Sequence, residues 1–509
     1  MALGLFLLIA VSYGYFFGGG GWNQNAQFDL TRALVEKHSF RIDGFADNTG
    51  DVSRFGGHVY ANKAPGISLL AAIPYFVIYH CELASGLDPS EPAVMGINLY
   101  ALTFLVSGLG GALVGVLLFI YGRQNLFGRQ LSLAVALIAS FGTPLFGFST
   151  LFFAHVPSAA LLLLAYVLSL RRSLQSRAVA GFFSGIGGLS NYLVIPAAAV
   201  VCCGALLRDL RVMSRREAGR RWGIYLAGAM PSALLLFIYQ QSAFGGAFRT
   251  PIDTMDGRFI EHGAFLGILA GPSMEAFLGI TVSPYRGLFF LSPILFAAFV
   301  GATSMLLRRE VLDVAIVASV SMIFFLFNIS FNGWEGGFSI GPRYLLPAVP
   351  FAALFLFRGL TRGRALWWIL GLLAVFLNFA AAAVDPQPSG TIPNPVAQYI
   401  LPLLFRGEFP AATPITLPYS SQTIMGHVAV NPLTVDQIIP FSKHGPGSDP
   451  TMWASFNLGE SIFGVGSALS LLPILVWILG GACFLWITAR SFDRLRPHSG
   501  DGSQLRKLS

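Results

Sequence analysis

The segment from Gly21 to Gly66 reads GWNQNAQFDLTRALVEKHSFRIDGFADNTGDVSRFGGHVYANKAPG and is the first long polar stretch of the chain. It directly follows an apolar run at residues 2–20, and the residues after it are again apolar. Carboxylates, amides, histidines, tyrosine and lysine are therefore concentrated in a single loop between apolar segments. A polar loop in this position is where we expect a functional site.

The rest of the chain is apolar enough to be embedded in lipid. Of its 509 residues, 54% are hydrophobic and 11% are charged, and the mean hydropathy is +0.67. Repeated apolar runs of about 17–25 residues are typical of transmembrane helices. Because lipid offers no partner for free backbone N–H and C=O groups, helices are the structure that satisfies them here. We therefore predict an all-α polytopic membrane protein.

The apolar runs predict about 12 transmembrane helices. They lie at residues 2–20, 94–121, 131–150, 156–170, 178–190, 191–207, 222–241, 288–307, 311–330, 344–357, 365–384 and 462–489. The first run lacks the basic start and the small-residue cleavage site of a signal peptide, so it is interpreted as a membrane helix. A further run at 64–80 is interpreted as a re-entrant or interfacial helix in the first outer loop. Residues 178–207 then form two short helices that turn near Ser190-Asn191.

The distribution of Lys and Arg supports this topology. With both termini in the cytoplasm, the inner segments hold about two thirds of the 32 Lys and Arg residues, as the positive-inside rule expects. An alternative in which 64–80 crosses and 178–207 is a single span moves several arginines outward, and it stays open. The net charge of +8 is then a signal of topology in the cell membrane, and no nucleic-acid partner is expected.

The same topology predicts how the chain is divided. Its outer segments are 21–93, 242–287, 331–343 and 385–461. We predict a transmembrane core at 1–384, an irregular cap at 385–461, a last transmembrane helix at 462–489 and a disordered cytoplasmic tail at 490–509. The inner loops are short and basic, and none is large enough to bind a nucleotide. This asymmetry favours work done on the outer face.

Residues 27–38 have the pattern of a short amphipathic helix that lies along the membrane. One side carries Phe28, Thr31, Leu34 and Val35, and the other carries Asp29, Arg32 and Glu36. Asp29 is a candidate catalytic carboxylate or metal ligand. The alternative is an ion pair with Arg32, three residues later, which is worth only a few tenths of a kcal/mol.

Lys63 lies in the sequence HVYANKAPG, directly before the apolar run at 64–80. Pro65 suits the first turn of a helix. A cation is disfavoured at that end of a helix by about 0.3–1 kcal/mol, whereas free backbone N–H groups beside a lysine suit an anion such as phosphate. Lys63 is therefore a candidate phosphate ligand. The alternative is a lysine that extends towards the lipid headgroups.

These features resemble the membrane-integral C-type glycosyltransferases. The resemblance consists of an outer loop after the first helix, a short helix within it, and a Tyr-x-x-Lys-x-Pro turn before an apolar helix. It is best over residues 1–210, and its closest branch is that of protein O-mannosyltransferases and lipid A aminoarabinose transferases (glycosyltransferase family 39). The resemblance implies a C-type glycosyltransferase fold and transfer of a sugar from a polyprenyl-phosphate carrier. It also implies that Lys63 holds the carrier phosphate and that a carboxylate in the first loop acts as base or metal ligand.

The chain departs from this family at positions that matter. Where relatives have an Asp-Glu pair at the start of the loop helix, this sequence has Asn23-Gln24, and an amide cannot act as a base. Either Asp29 or an aspartate of the 43–51 stretch has taken the role, or the chain is not a transferase. The acidic residue before the lysine is replaced by Asn62, and His155 stands where relatives often have an acidic residue. His155 is a candidate proton acceptor, and a polar cap of the 156–170 helix is the alternative.

Other outward-facing motifs are candidates for binding substrate. In NGWEGGFSIGPRY, Arg343 at a helix start suits an anion, and Trp334 can stack on a sugar. A structural pair between Arg343 and Glu335 is the alternative. The site residues we predict are Asp29 and His155 for catalysis, and Lys63, Arg343 and Tyr344 for the donor phosphate. For substrate they are Asn23, Gln24, Asp47, Asp51, His58, Tyr60, Asn191, Tyr192, Arg286, Trp334 and Glu335.

The predicted function is transfer of a sugar from a polyprenyl-phosphate donor to a lipid, glycan or protein acceptor, within the membrane lipids. A divalent metal ion is the one cofactor considered, and Asn23, Gln24 and Asn62 argue against a full set of ligands. One alternative is a transporter or flippase, which the scarcity of ionisable residues within the spans argues against. Another is a transferase-like scaffold without activity, which the loss of the Asp-Glu pair keeps open.

Overall fold

A computed structural model describes residues 1–255, 257–361, 364–407, 455–464 and 467–494. Most of the predicted cap and the predicted disordered tail lie outside the described residues. The helices are α1 (Ala2–Gly14), α2 (Trp22–Glu36), α3 (Gly66–Ala84), α4 (Pro92–Thr103), α5 (Leu109–Gln124), α6 (Arg129–Phe141), α7 (Leu145–Ser149), α8 (His155–Ser169), α9 (Leu174–Ser190), α10 (Val194–Leu210), α11 (Arg215–Phe244), α12 (Met274–Thr281), α13 (Leu288–Leu291), α14 (Phe296–Leu307), α15 (Val311–Ser330), α16 (Val349–Gly359), α17 (Arg364–Val384), α18 (Leu401–Arg406), α19 (Glu460–Phe463) and α20 (Leu472–Arg494). The short strands are β1 (Phe16–Phe17), β2 (Val52–Phe55), β3 (His58–Ala61) and β4 (Phe456–Asn457).

Six helical segments of the described chain are long and apolar enough to cross a membrane, as a multi-pass protein requires. They are residues 66–84, 92–124, 215–244, 311–330, 365–384 and 468–493. The predicted count of about 12 is not confirmed. Several predicted runs are interrupted by turns; 131–150, for example, is divided at Gly142 and Pro144 into α6 and α7. Helices α1, α6 and α8 are apolar but have only 10–17 residues.

In the sequence prediction, the topology of 64–80 determines that of 178–207. If 64–80 does not cross the membrane, 178–207 forms two short helices, and if it crosses, 178–207 is a single span. Residues 178–207 do form parts of two helices, α9 and α10, which are separated by a turn at Asn191. The run at 64–80 lies within α3, which has 19 residues and belongs to the six segments long enough to cross. Helix α3 is therefore long enough to cross a membrane, and its length gives no support to the re-entrant or interfacial position that we predicted.

Glycines allow two of the helices to touch backbone to backbone. A Cβ atom at Gly181 of α9 would lie 1.9 Å from the carbonyl oxygen of Tyr225 in α11, and one at Gly228 of α11 would lie 2.2 Å from the carbonyl oxygen of Ala178. Both distances are far below van der Waals contact, so a side chain at either position would separate the helices. Helices α9 and α11 are thus held in close contact.

Helix α2 is buried, which corrects the prediction of a surface amphipathic helix. Its residues Ala26, Leu30 and Ala33 pack in one cluster with Ile42, Val52, Tyr60, Ala61, Tyr239, Ala243 and Phe244. Its residues Phe28 and Val35 pack in another cluster against α3. Because both sides are covered, the charged residues predicted to face outward are enclosed, with Asp29 0% and Arg32 7% exposed.

Two small antiparallel ladders complete the first loop. Strands β2 and β3 form a hairpin in which Val52 pairs with Ala61 and Phe55 with His58. Its turn is Gly56-Gly57, and both residues have positive φ, as the tight hairpin turn requires. Strand β1 pairs with β4, Phe16 opposite Asn457. This second ladder joins the start of the first loop to the last part of the predicted cap, since β4 lies within residues 385–461.

Candidate active site

The turn that carries Lys63 packs closely against the end of α9. A Cβ atom at Gly66 would lie 2.4 Å from both the backbone nitrogen and the hydroxyl oxygen of Ser190. Only glycine fits this contact. The turn therefore lies beside the α9–α10 connection, where the Asn191 side chain accepts a hydrogen bond from the Leu193 N–H at 3.1 Å.

Lys63 is held by the β2–β3 hairpin. Its Nζ lies 3.0 Å from Oδ2 of Asp51, and the backbone N–H of the neighbouring Asn62 donates to the Asp51 carbonyl at 3.1 Å. Burial lowers the pKa of Lys63, and the charge of Arg343 lowers it further, against the opposing effect of Asp51. Lys63 and Arg343, which are remote in sequence, thus lie close enough to repel each other.

Arg343 begins the 3-10 helical turn Arg343–Ala348 and lies among aromatic rings. Its Nη2 donates to the Tyr344 hydroxyl at 3.0 Å. The guanidinium carbon is 5.0 Å from the centre of the Tyr344 ring and 5.5 Å from that of Phe153. These contacts are within the range of cation–π attraction, and they fix the position of the positive charge.

His155 lies near both of these cations. Its ring centre is 5.6 Å from that of Tyr344, and the two rings are nearly perpendicular. Burial, followed by the charges of Arg343 and Lys63, lowers the pKa of His155 to about 3. Its Nδ1 atom is buried and makes no hydrogen bond to any of the described residues. The site therefore contains a neutral imidazole with a free nitrogen beside two positive charges.

Asp29 is completely buried on α2. Its Oδ1 accepts a hydrogen bond from Nδ2 of Asn48 at 3.3 Å, while Oδ2 has no hydrogen-bond partner in the described part of the chain. Burial raises the pKa of Asp29 well above its ordinary value. The alternative ion pair with Arg32 does not form, because Arg32 pairs with Glu36 at 2.8 Å. Asn48 binds Asp29, and Asp51, three residues later, binds Lys63, so residues 48–51 connect the two side chains.

The amides at the family's carboxylate positions form hydrogen bonds of their own. Gln24 Nε2 donates to Gln387 Oε1 at 2.7 Å, and Asn23 Oδ1 accepts from Gln27 Nε2 at 2.5 Å. The backbone N–H of Gln387 in turn donates to Asp385 at 2.6 Å. Asp385 is thus a buried carboxylate two hydrogen bonds from Gln24, and the sequence prediction missed it. Its position directly after the apolar run at 365–384 was the available signal.

The NGWEGGFSIGPRY segment encloses a third buried carboxyl group. Glu335 is 3% exposed, and its Oε2 makes no hydrogen bond to the described residues. Burial raises the pKa of Glu335 to about 8, although the charges of Arg286 and Arg343 partly oppose this. The Trp334 ring packs edge-on against Tyr285, with ring centres 6.0 Å apart, and only 7% of the residue is exposed.

Arg286 is fully buried and holds two loops together. Its guanidinium donates to the backbone carbonyls of Glu335 at 3.3 Å, Gly337 at 3.0 Å and Ser389 at 3.4 Å. It also lies over the ring of Tyr285, 4.3 Å from the ring centre. These contacts place Arg286 beneath the loop that precedes Arg343, where it positions that loop.

The remaining predicted residues lie on the hairpin side or on the helix connection. His58 Nδ1 is 2.8 Å from Asp43 Oδ2 in an exposed pair, and Asp47 is exposed in a short 3-10 turn. Tyr60 is buried with its ring 5.8 Å from that of Phe244. Tyr192 lies near Gln240 of α11. The contacts of these side chains are with their own neighbours in the fold rather than with Arg343.

The residues present do not fit a divalent metal ion. Among the described residues there is no group of three or more His, Cys, Asp and Glu side chains that could hold one. The neighbour of Asp29 is the amide of Asn48, so a metal there would have a single charged ligand. Hard divalent cations in proteins take several oxygen ligands, usually including more than one carboxylate.

Comparisons with known proteins give matches in structure alone. No protein-family model matches the chain, and no curated protein sequence matches it. It is similar to the crystal structure of ArnT from Cupriavidus metallidurans in the apo state, with a TM-score of 0.47 and 13% identity, over 95% of this chain and 74% of that one. The crystal structure of the same protein bound to undecaprenyl phosphate gives a TM-score of 0.45 and 13% identity, over 95% of this chain and 75% of that one.

Proposed function

We propose that this chain is a membrane glycosyltransferase of the C type, which moves a sugar from a polyprenyl-phosphate donor to a hydroxyl of a lipid, glycan or protein acceptor at the outer face of a cell membrane. The observation that carries the proposal is the meeting of Lys63, Arg343 and His155. Lys63 and Arg343 come from segments remote in sequence, and both act electrostatically on the His155 imidazole. Two cations held against their mutual repulsion are an arrangement suited to an anionic ligand.

The proposed ligand of these cations is the phosphate of the donor. Lys63 supplies a compact charge, and Arg343 supplies a planar fork that matches phosphate oxygens. Asp51 forms an ion pair with Lys63 and holds its ammonium group in place. The free Nδ1 of His155 gives the same ligand a further hydrogen-bonding position. The lipid chain of the donor would then lie along the apolar helices beside the site.

The proposed reaction is a single displacement at the anomeric carbon. The acceptor oxygen forms a bond to that carbon while the bond between the carbon and the phosphate oxygen breaks, and the electron pair leaves with the lipid phosphate. Lys63 and Arg343 stabilise the charge that develops on the leaving phosphate, which is usually a large contribution. The acceptor proton goes to Asp29, whose Oδ2 is free of other hydrogen bonds. Inversion of configuration follows from a single displacement.

The raised pKa of Asp29 suits the role of a base. A carboxylate in ordinary surroundings is a weak base at neutral pH, and burial strengthens it by disfavouring its charged form. The hydrogen bond from Asn48 orients the carboxylate with Oδ2 free. Since the residues around Asp29 do not fit a divalent metal, no step is assigned to one.

The proposal is tested by a transfer assay in membranes with a radiolabelled polyprenyl-phosphate sugar. We expect Lys63→Ala and Arg343→Ala each to lower kcat/KM by about 100-fold or more, as loss of a charged contact to the leaving group implies. Asp29→Asn should lower kcat with little effect on donor binding. The matched controls are Lys37→Ala and Arg54→Ala, two exposed basic residues of the same loop. Full transfer by both Lys63→Ala and Arg343→Ala would overturn the assignment of the site.

A further inference from the structure

A second group of charged side chains lies at the other end of the helices, away from the candidate active site. Arg177 of α9 binds both carboxylate oxygens of Asp209 in α10, at 2.9 and 3.1 Å. Arg221 of α11 donates from Nε to the same carboxylate at 2.9 Å. The three side chains are at most 10% exposed. One buried carboxylate is therefore shared by two buried guanidinium groups.

This arrangement leaves an excess of one positive charge inside the protein. The Nε and Nη1 atoms of Arg177 are buried and make no hydrogen bond to the described residues. A buried charge without a counterion is costly, because the protein interior screens it poorly. An anion at the adjoining surface would offset the cost.

The surface above the group is strongly basic. Arg221 also donates to the backbone carbonyls of Arg171 and Arg172, so the loop that carries these two residues is folded over the buried group. The exposed arginines of this loop and of the following connection are Arg171, Arg172, Arg211, Arg215, Arg216 and Arg220. Among the described residues, Glu217 is the one acidic side chain within 4 Å of these exposed arginines, 3.9 Å from Arg220. The surface and the buried group thus have the same sign of charge.

The position of this surface follows from the helices. Helix α9 begins there and ends at Ser190 beside the Lys63 turn, and with 17 residues it is about 25 Å long. Large apolar side chains are exposed among the arginines, including Leu210 at 42%, Val212 at 65% and Trp222 at 40%. Tryptophan beside basic residues is typical of the interface between lipid tails and headgroups. The sequence topology assigns this end to the cytoplasmic face.

We propose that the surface formed by residues 171–177 and 208–221 binds the headgroup of an anionic phospholipid, with the buried Arg177–Asp209–Arg221 group as its fixed positive charge. Guanidinium groups bind phosphate oxygens in pairs, and the exposed apolar side chains contact the acyl chains. The apolar contacts favour a lipid over free phosphate. This inference does not depend on the proposed transferase activity.

The test uses the full chain in a neutral detergent and follows the midpoint of thermal unfolding by tryptophan fluorescence. Dioleoyl phosphatidylglycerol, dioleoyl phosphatidylcholine and inorganic phosphate are titrated separately. We expect the anionic lipid to raise the midpoint more than the zwitterionic one, with an effect that falls as salt is added. Each arginine near an anionic surface contributes about 1 kcal/mol, or about fivefold in affinity.

Variants locate the effect. Combined replacement of Arg171, Arg172, Arg215 and Arg216 by glutamine should remove most of the response to the anionic lipid, since these exposed residues are not needed for packing. The matched control replaces Lys37, Arg41, Arg54 and Arg249, which are exposed in other loops, and should respond like the unaltered chain. D209N should lower the midpoint without lipid and enlarge the response to phosphatidylglycerol, because it increases the unbalanced buried charge.

Three results would overturn the inference. The first is an equal response to the two lipids, and the second is an unchanged response of the fourfold surface variant. The third is an equal response to inorganic phosphate at the same concentration, which would identify the ligand as a free anion. None of these readouts requires transfer activity, so they remain informative if the proposed function fails.

Discussion

Replacing Gly66 by alanine tests whether the position of Lys63 depends on contact with α9. The new Cβ atom would lie 2.4 Å from the nitrogen and hydroxyl oxygen of Ser190, whereas ordinary contact begins near 3.4 Å. The start of α3 or the end of α9 must therefore move by about 1 Å. Overpacking of this kind costs about 1–3 kcal/mol, more than the 0.5–1 kcal/mol that alanine gains over glycine within a helix.

The functional consequence of that movement is larger than its effect on stability. Lys63 lies three residues before Gly66, so it moves with the start of α3. A displacement of about 1 Å at a reacting group can cost about 100-fold in rate. We expect Gly66→Ala to lower kcat/KM by about this factor in the transfer assay, while the thermal midpoint falls only slightly.

Gly44→Ala is the matched control. It lies in the same loop, and a Cβ atom there would meet nothing within 4 Å. It should leave both the midpoint and the transfer rate unchanged. If Gly66→Ala has the activity and the midpoint of Gly44→Ala, the contact with Ser190 does not position Lys63, and the reasoning is refuted.

Three further substitutions have defined outcomes. The pKa of Glu335 is raised to about 8, so the folded state favours its protonated form. The stabilisation from this group is therefore present below about pH 4.5 and is lost as the pH rises towards 8. Glu335→Gln should flatten that part of the curve of unfolding free energy against pH, and an unchanged curve would contradict the burial of the carboxyl group. Asp51→Asn leaves Lys63 without its ion pair and should lower the unfolding free energy by about 1–3 kcal/mol. This loss is less than for a fully buried pair because the Lys63 side chain is 24% exposed. If the unaltered chain is equally stable at low and high salt, this ion pair does not stabilise the fold as we expect. Arg286→Lys removes the guanidinium group that donates to the backbone carbonyls of Tyr285, Glu335, Gly337 and Ser389, and it should destabilise the fold by about 2–4 kcal/mol, measured by chemical denaturation. A loss below about 0.5 kcal/mol would show that Arg286 does not hold the loops.

The helical membrane architecture could be predicted from the sequence because it depends on local composition. The run at 311–330 coincides with α15, and the turn at Asn191 was predicted from a polar pair within an apolar segment. The ends of other helices were less accurate. Helix α2 begins at Trp22 rather than residue 27, since Gln24 and Asn25 are stabilised by contacts with Gln387 and Asn48 that no local pattern reveals.

For the candidate site, the sequence indicated charged residues but not their geometry. Lys63 and Arg343 were predicted as phosphate ligands because each cation precedes a helix, and in the structure Arg343 lies near enough to Lys63 to act on it electrostatically. The pairing of Lys63 with Asp51 depends on the register of a hairpin whose Gly56-Gly57 turn was overlooked. Asp385 was missed because its proximity to Gln24 arises through Gln387, far along the chain.

The length of α9 and α10 has a consequence for the surrounding lipid. Each has 17 residues and a length of about 25 Å, whereas the hydrocarbon core of a bilayer is about 30 Å thick. We expect lipids that border this pair to shorten their span and so to thin the membrane at the flank where the Lys63 turn lies. A prenyl carrier that approaches this flank would present its phosphate nearer the middle of the bilayer than elsewhere. Longer acyl chains in the surrounding lipids would oppose delivery of the carrier phosphate to the site.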